Sequence, residues 1–492
     1  MLSKARILAG IRCPLRLWHQ VYNPDLAGEL SPTRQAILDI GHEVGRLATG
    51  LYPGGVLVEE DHLHHREAVQ STRKWMDEAT VLAVYEGAFL FDDVRVRTDI
   101  LERIEQGKWN LIEVKSSASV KDIYKTDLAV QYYALQGAGV EIERTWLLHL
   151  NNQYVFDGQS LDLEQFFHLE DMTAEVLSLQ GEIPSTVAHM KEVLRSSGPP
   201  VIAPSRQCNK PYECEFWGHC RARMSQFWVL GLYGISQQRL EELAASDIED
   251  IRDVPELFPL SALQERIRTC VVNEEEFLDP QLERELRDVE YPIHFLDFET
   301  ISPAVPRYAG TRPYHTIPFQ WSDHTLHEDG SLEHQHYLYE GDGDPREEFI
   351  RTLRKALGVK GTIFIYTTYE KDVLNSLIEG FPEYKQALLT RMERFKDLCA
   401  LISQYFYNPL FYGSFSLKAV LPVLVPSMSY DLLAIKEGMM ASFEYLRMLD
   451  PITNAEEKLR IKEALLTYCG NDTLGMVRIR EALLGRFANL LR

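Results

Sequence analysis

Two hydrophobic periods alternate along this chain, and they divide it before any single residue is weighed. In "FDDVRVRTDILERI" and "WNLIEVKSS" (residues 91–104 and 109–117) apolar and polar positions alternate, which predicts two strands joined by a turn at "EQGK". Upstream, "SPTRQAILDIGHEVGRLATGLYPGG" carries helical spacing, with Ser31 placed to cap it, Pro32 in its first turn and Gly54 beyond its end. "DIYKTDLAVQYYALQGAG" predicts a second helix and "ERTWLLHL" a third strand. The style repeats near the C-terminus: strands "IHFLDFET" and "GTIFIYTT", then helices that include "EEKLRIKEALLTYCGNDTLGMVRIREALL". Both halves therefore read as α/β.

Between the halves the pattern breaks. "SSGPPVIAPSRQ" is a Pro- and Ser-rich interruption, and "ISQQRLEELAASDIEDIRDVPELF" is acid-rich with helical spacing. These breaks predict a first domain over residues 1–225, a helical connector over 226–288 and a second domain over 289–492. The connector's "YGISQQRLEELAASDIEDI" has a faint helix-hairpin-helix flavour, against the plainer reading of a packed helical linker.

Composition narrows the class. Of the 492 residues 45% are hydrophobic and 25% charged, the balance of an ordinary soluble protein. No apolar run approaches the ~20 residues of a membrane span, and the opening "MLSKARILAGIRCPLRLWHQ" is too polar for a secretion signal. Seven cysteines, an odd number in a long chain, point to a reducing, cytoplasmic setting. The net charge of -22, from 51 basic and 73 acidic residues, disfavours broad nucleic-acid binding through a basic face. It is compatible with carboxylates clustered at metal sites and basic residues confined to a groove.

Two carboxylate constellations stand out. On "WNLIEVKSS" a period of two places Leu111, Glu113 and Lys115 on one face and Ile112 and Val114 on the other, with Glu113 and Lys115 about 6.6 Å apart along the strand. The preceding strand delivers Asp99 across the turn. Two carboxylates can hold a divalent metal and a neighbouring lysine can hold or polarise an attacking water. An exposed hairpin ion pair would also account for E-x-K taken alone. The second constellation lies in "IHFLDFETIS", where Asp297 and Glu299 share a face. At that spacing two like charges repel by roughly 2–3 kcal/mol at an effective dielectric of 20, so a strand this apolar calls for a counter-ion. On the late helix "LLTYCGNDTLG", Tyr468 and Asp472 are four apart and share a face.

The order His42 in "GHEVGRLA", Asp99, Glu113 and Lys115, then Gln131 in "LAVQYYAL" resembles the RecB-like PD-(D/E)xK nucleases, in particular the iron–sulfur exonucleases of CRISPR adaptation and recombinational repair. That resemblance implies a restriction-endonuclease-like fold. It also implies Mg²⁺ or Mn²⁺ held by His42, Asp99 and Glu113, a catalytic Lys115, and Gln131 as an organising residue. The family's iron–sulfur members take one cysteine near the N-terminus and three after the core, which here implies a [4Fe-4S] cluster on Cys13, Cys208, Cys214 and Cys220. Structural zinc is the chemical competitor. The C-x5-C-x5-C spacing lacks zinc's usual close pair, and it departs from the family's usual spacing too.

D-x-E on one strand with Y-x-x-x-D on a late helix resembles the tyrosine-bearing DEDD exonucleases of the ribonuclease H-like fold. The resemblance implies a 3′–5′ exonuclease with two ions on Asp297, Glu299, a third motif acid and Asp472, and with Tyr468 orienting water. At the third motif the chain has "IYTTYEKDVL", so Glu370 takes that role, with Asp372 as the alternative. "LDFETISPAVPRYAGTRPYHTIPFQ" and "FYGSFSLKAVLPVL" further resemble a bacterial family in which the two nuclease-like halves are fused. The loop after the D-x-E strand interleaves Arg307, Tyr308, Arg312, Tyr314, His315 and Phe319. Cations and rings so mixed suit single-stranded DNA, with Arg307, Arg312 and Tyr314 as the contacts, or equally a loop packing on its own domain. Lys418 in "SLKAV" is a phosphate contact or a solvated lysine. The expectation is a two-site, metal-dependent DNA nuclease; the alternative is a nucleic-acid-binding iron–sulfur scaffold with one or both sites inactive.

Overall fold

The computed structural model of the chain describes residues 1–105, 107–210 and 212–490. It divides into two compact units, residues 1–223 with 303–315, and residues 224–302 with 316–492. The predicted connector thus falls in the second unit, and part of the loop after the D-x-E strand falls in the first. Both units are mixed α/β. Among the described residues no helix is long and apolar enough to cross a membrane.

The first unit is built on seven strands: β1 (Leu2–Ser3), β2 (Gly55–Leu57), β3 (Ala83–Phe91), β4 (Val94–Glu105), β5 (Lys108–Lys115), β6 (Glu141–Leu150) and β7 (Phe167–Asp171). The sheet runs β2-β3-β4-β5-β6-β7, with β1 paired beside β4. The predicted hairpin is β4–β5, antiparallel, with Gly107 at φ 87° in its turn, a conformation that favours glycine. β5 and β6 are parallel, so a crossover must join them, and the helix Asp122–Gly137 supplies it.

The period-two reading of β5 puts Leu111 and Ile112 on opposite faces, and each face packs into its own core. Leu111 packs with Leu128, Ala129, Val130 and Leu147 under the crossover helix. Ile112 packs with Ile100, Leu148, Val44 and Ala48, the last two on the helix Pro32–Thr49. That helix starts as the sequence predicts, Ser31 Oγ accepting from Arg34 N at 3.2 Å with Pro32 at its first position. Its C-cap is Gly50, four residues before the predicted Gly54, because the chain turns at residues 50–54.

The second unit holds β8 (Phe277–Leu278), β9 (Ile293–Ile301), β10 (Ile317–Leu326), β11 (Leu332–Leu338), β12 (Ile363–Ile365), β13 (Phe395–Asp397) and β14 (Phe406–Tyr407). Five of these form a sheet of order β11-β10-β9-β12-β13, while β8 and β14 pair separately. β10 runs antiparallel to β9 and β11, and β9, β12 and β13 are parallel. One face of β9 buries Leu296 and Phe298 against Phe349, Leu353 and Leu374. The helix Ala455–Leu490 packs along β9 and β10, where its Leu465 carbonyl accepts from the buried Gln320 Nε2 at 2.9 Å.

Candidate active sites and thiol cluster

Within the first unit, β5 and the crossover helix bring three charged side chains and an amide into one network. Glu113 is 1% exposed at its side chain and binds Lys4 Nζ at 2.9 Å and Lys115 Nζ at 2.5 Å. Gln131 Nε2 donates to Glu113 Oε2 at 2.7 Å and to Asp127 Oδ1 at 2.9 Å. Asp127 in turn takes Lys4 and Lys115, each at 2.9 Å. Asp99 Oδ2 accepts from Val114 N at 2.7 Å, which anchors it beside the same strand.

Burial of Lys115 alone would lower its pKa, but Glu113 and Asp127 outweigh that and hold the ammonium well above its usual range. Lys4 is raised in the same way, by Asp127 and Glu113 against the cost of burial. Burial and the neighbouring Asp99 push Glu113 up, yet the two lysines win and its pKa falls below the ordinary value. Asp99, with burial dominant, is raised. Opposite charges therefore compensate this cluster from within.

Four predicted residues, Asp99, Glu113, Lys115 and Gln131, are thus brought together. His42 is exposed on Pro32–Thr49, the helix that packs on the Ile112 face of the sheet, opposite the face of Glu113. Lys4 and Asp127 escaped the sequence reading. Asp127 precedes Gln131 by four on one helix, so helical spacing could have found it. Lys4 lies 109 positions from Glu113 and carries no local signal.

Within the second unit, four acids converge with nothing comparable to neutralise them. Asp297, Glu299 and the Cys469 thiol have ligand atoms all within 4.8 Å of one another. Glu370, 3% exposed, enters from the first turn of the helix Tyr369–Gly380 close enough that its charge acts on Asp297. Its Oε2 is buried without a hydrogen-bond partner. Asp472, 6% exposed, accepts from the Tyr430 hydroxyl. Tyr468 is buried on the same helix as Asp472. The alternative acid Asp372 is exposed.

The electrostatics follow from burial and crowding. Asp297 is raised well above the carboxylate range by burial and then by the charge of Glu370. Glu299 is raised by burial, then by Asp297 and Asp472. Burial drives Glu370 up to about 8, and Asp472 rises with burial and Asp297. Lys418 is a cation whose charge acts on both Glu299 and Asp472 and whose Nζ sits 5.5 Å from the Tyr430 and Tyr468 ring centres. Lys418 is exposed and donates to the Lys436 carbonyl, which tethers it. Tyr430 was not read from sequence; a lone tyrosine 42 residues before its partner gives no pattern.

Cys13, Cys208, Cys214 and Cys220 line one cavity together with Arg12, Arg16, His19 and Phe216. The thiols sense one another: Cys220 is pushed to about 11 by burial, then by Cys208, Cys214 and Cys13. Around them, Arg12 Nε donates to Gln207 O at 2.7 Å, and Arg16 and Gln20 hold the Glu215 carboxylate at 3.0 and 2.6 Å.

In the loop after β9, Arg307 and Arg312 are exposed. Tyr314 takes φ 60°, in the left-handed region, and its hydroxyl donates to the Ser116 carbonyl, one residue past Lys115. Phe156 N donates to Thr311 O and Gly310 N to Phe156 O, each at 2.8 Å. This loop therefore packs within the first unit, and its tyrosine hydroxyl is already used.

Residues 294–416, about a quarter of the chain, match a family described as "Domain of unknown function (DUF2779)". The span contains Asp297, Glu299 and Glu370 and stops before Tyr468 and Asp472. No curated protein matches. A solved structure titled "Crystal structure of SSO0001" is similar at 14% identity over 46% of this chain and 87% of that one, with a TM-score of 0.23, too low to carry an argument.

Proposed function

We propose that the chain is a metal-dependent nuclease that hydrolyses phosphodiesters of DNA ends or single strands. The observation that carries this reading is the acid quartet Asp297, Glu299, Glu370 and Asp472, the last three buried and Asp297 half-buried, with the Glu370 Oε2 left orphaned. Uncompensated buried carboxylates are expensive, and a divalent cation is the counter-ion that such oxygens accept. The strand order β11-β10-β9-β12-β13, with β10 alone reversed, accords with a ribonuclease H-like fold.

Those four acids would hold Mg²⁺ or Mn²⁺ in the second unit, and Asp99 and Glu113 would do so in the first. When bound, the ions supply Lewis-acid stabilisation of the phosphoryl oxygens and a more acidic water. The chain's own groups do the rest. Burial and the surrounding acids keep the Tyr468 phenol protonated, so it can donate a hydrogen bond to an incoming water. Tyr430 fixes Asp472, and Lys418 places positive charge beside Glu299 and Asp472. In the first unit Lys115 stays an ammonium, which suits it to hold a phosphate oxygen and not to act as a base.

Cys13, Cys208, Cys214 and Cys220 would hold a [4Fe-4S] cluster as a clasp between the first helices and residues 208–220. A tetrahedral zinc site with 2.3 Å bonds needs sulfurs only about 3.8 Å apart. The C-x5-C-x5-C run, without zinc's usual close pair, favours the iron–sulfur group.

A second reading applies to the first unit alone. Lys4 and Lys115 already neutralise Glu113 and Asp127, the arrangement of a nucleic-acid-binding scaffold whose metal site is silent. The purified chain, carrying about four irons, should degrade labelled single strands with Mn²⁺. Equal rates for wild type and an Asp99→Ala, Asp297→Ala double variant would refute the nuclease reading.

A further inference from the structure

Beside the first carboxylate cluster, one strand over from Lys115, the strands β6 and β7 assemble a second kind of ligand set. They are antiparallel with His149 opposite His168 and Leu147 opposite Glu170, so His168 and Glu170 share a face with His149 between neighbouring strands. The ligand atoms of His149, His168 and Glu170 all lie within 4.8 Å of one another. His149 is buried, His168 exposed and Glu170 partly exposed, so the trio opens to solvent on one side. We propose that His149, His168 and Glu170 form a transition-metal site that takes Zn²⁺ or a similar borderline ion.

Three observations carry this. First, the tautomer of His149 is fixed. Its Nδ1 lies 3.0 Å from the Leu150 carbonyl, which can only accept, so Nδ1 carries the proton and the Nε2 lone pair is free. Such a backbone bond behind the ring is the usual support of a metal-binding histidine. Second, His168 Nε2 and Glu170 Oε2 are 3.2 Å apart, close to the ~3.3 Å edge of a tetrahedron built on bonds of about 2.0 Å. Third, two imidazoles and a carboxylate are a zinc-type donor set, harder to match with Mg²⁺, which wants oxygen.

His149 stands in register with Lys115 on the neighbouring strand β5. Lys115 is engaged by Glu113 and Asp127 and so does not compete for the imidazole. Three protein ligands leave a fourth position open to solvent, where water or a phosphate oxygen could bind.

The test is equilibrium dialysis of the full, iron-loaded chain against Zn²⁺, read by metal analysis. It uses an Asp99→Ala, Asp297→Ala background to weaken zinc binding at the nuclease-like carboxylates. In that background the parent should retain one zinc more than a further His168→Ala variant, and Glu170→Gln should weaken the same site tenfold or more. Both substituted residues reach solvent, and unchanged circular dichroism melts will show that the variants fold. With Cu²⁺ as probe, electron paramagnetic resonance should show coupling to two histidine nitrogens, reduced to one in His168→Ala. Equal zinc in all three proteins, or a Cu²⁺ signal without histidine nitrogen coupling, overturns the proposal. Neither outcome depends on nuclease activity.

Discussion

The two carboxylate clusters solve the same electrostatic problem in opposite ways. In the first unit, Asp99, Glu113 and Asp127 face Lys4 and Lys115, and direct contacts of 2.5 to 2.9 Å spread the charge. In the second, Asp297, Glu299, Glu370 and Asp472 face one tethered lysine, and every one of the four is raised above its ordinary value, burial being the first cause. The first cluster can persist without an ion. The second is held at a cost that a divalent cation would remove. Donor chemistry alone, two or more converging carboxylates, would have ranked the two as equals; their counter-ions separate them.

The largest expected effect breaks the compensated side. Lys4→Met removes one partner of a buried ion network and should destabilise the first unit by about 3–5 kcal/mol, seen as a lower urea midpoint for its unfolding. A change below ~1 kcal/mol would mean that Lys115 alone balances the cluster.

The next effect has the opposite sign and belongs to the second unit. Glu370 binds its proton up to about 8 in the folded chain, against 4.5 ordinarily. The folded state then holds more protons than the unfolded one between those values. Stability of the metal-free protein should therefore fall as pH rises through that window, by up to ~1.4 kcal/mol per pH unit for each such proton. Glu370→Gln should flatten the slope and raise the metal-free melting temperature at pH 8, and saturating Mn²⁺ should flatten it in the wild type. A metal-free protein equally stable at pH 5.5 and 8 would remove the distinction between the clusters.

The smallest effect concerns the loop after β9. Arg307→Ala should reduce the salt slope of single-stranded DNA binding by about one unit, leaving sequence preference unchanged. An unchanged slope would leave the loop with a packing role, in keeping with the bonds of Tyr314 and Thr311 inside the first unit.

What the sequence made legible follows the range of each signal. Period-two alternation placed Leu111 and Glu113 on one face of β5 and Asp297 and Glu299 on one face of β9, because a strand expresses its face within a few residues. The four-residue spacing put Tyr468 and Asp472 on one face of a helix. Glu370 was found only because family resemblance pointed to its position, and burial then separates it from the exposed Asp372. The compensation was not legible. Lys4 meets Glu113 from 109 positions away and Tyr430 meets Asp472 from 42, and such contacts are products of tertiary packing with no local pattern. The same holds for His149 and His168, which become neighbours only through the register of β6 and β7.

The most direct test follows shortening of 3′- and 5′-labelled single strands in Mn²⁺ by wild type, Asp99→Ala and Asp297→Ala. The account predicts that Asp297→Ala slows progressive loss from the 3′ end by about three orders of magnitude, the several kcal/mol of a lost metal ligand, while Asp99→Ala leaves it in place. Undiminished 3′ shortening by Asp297→Ala would contradict it.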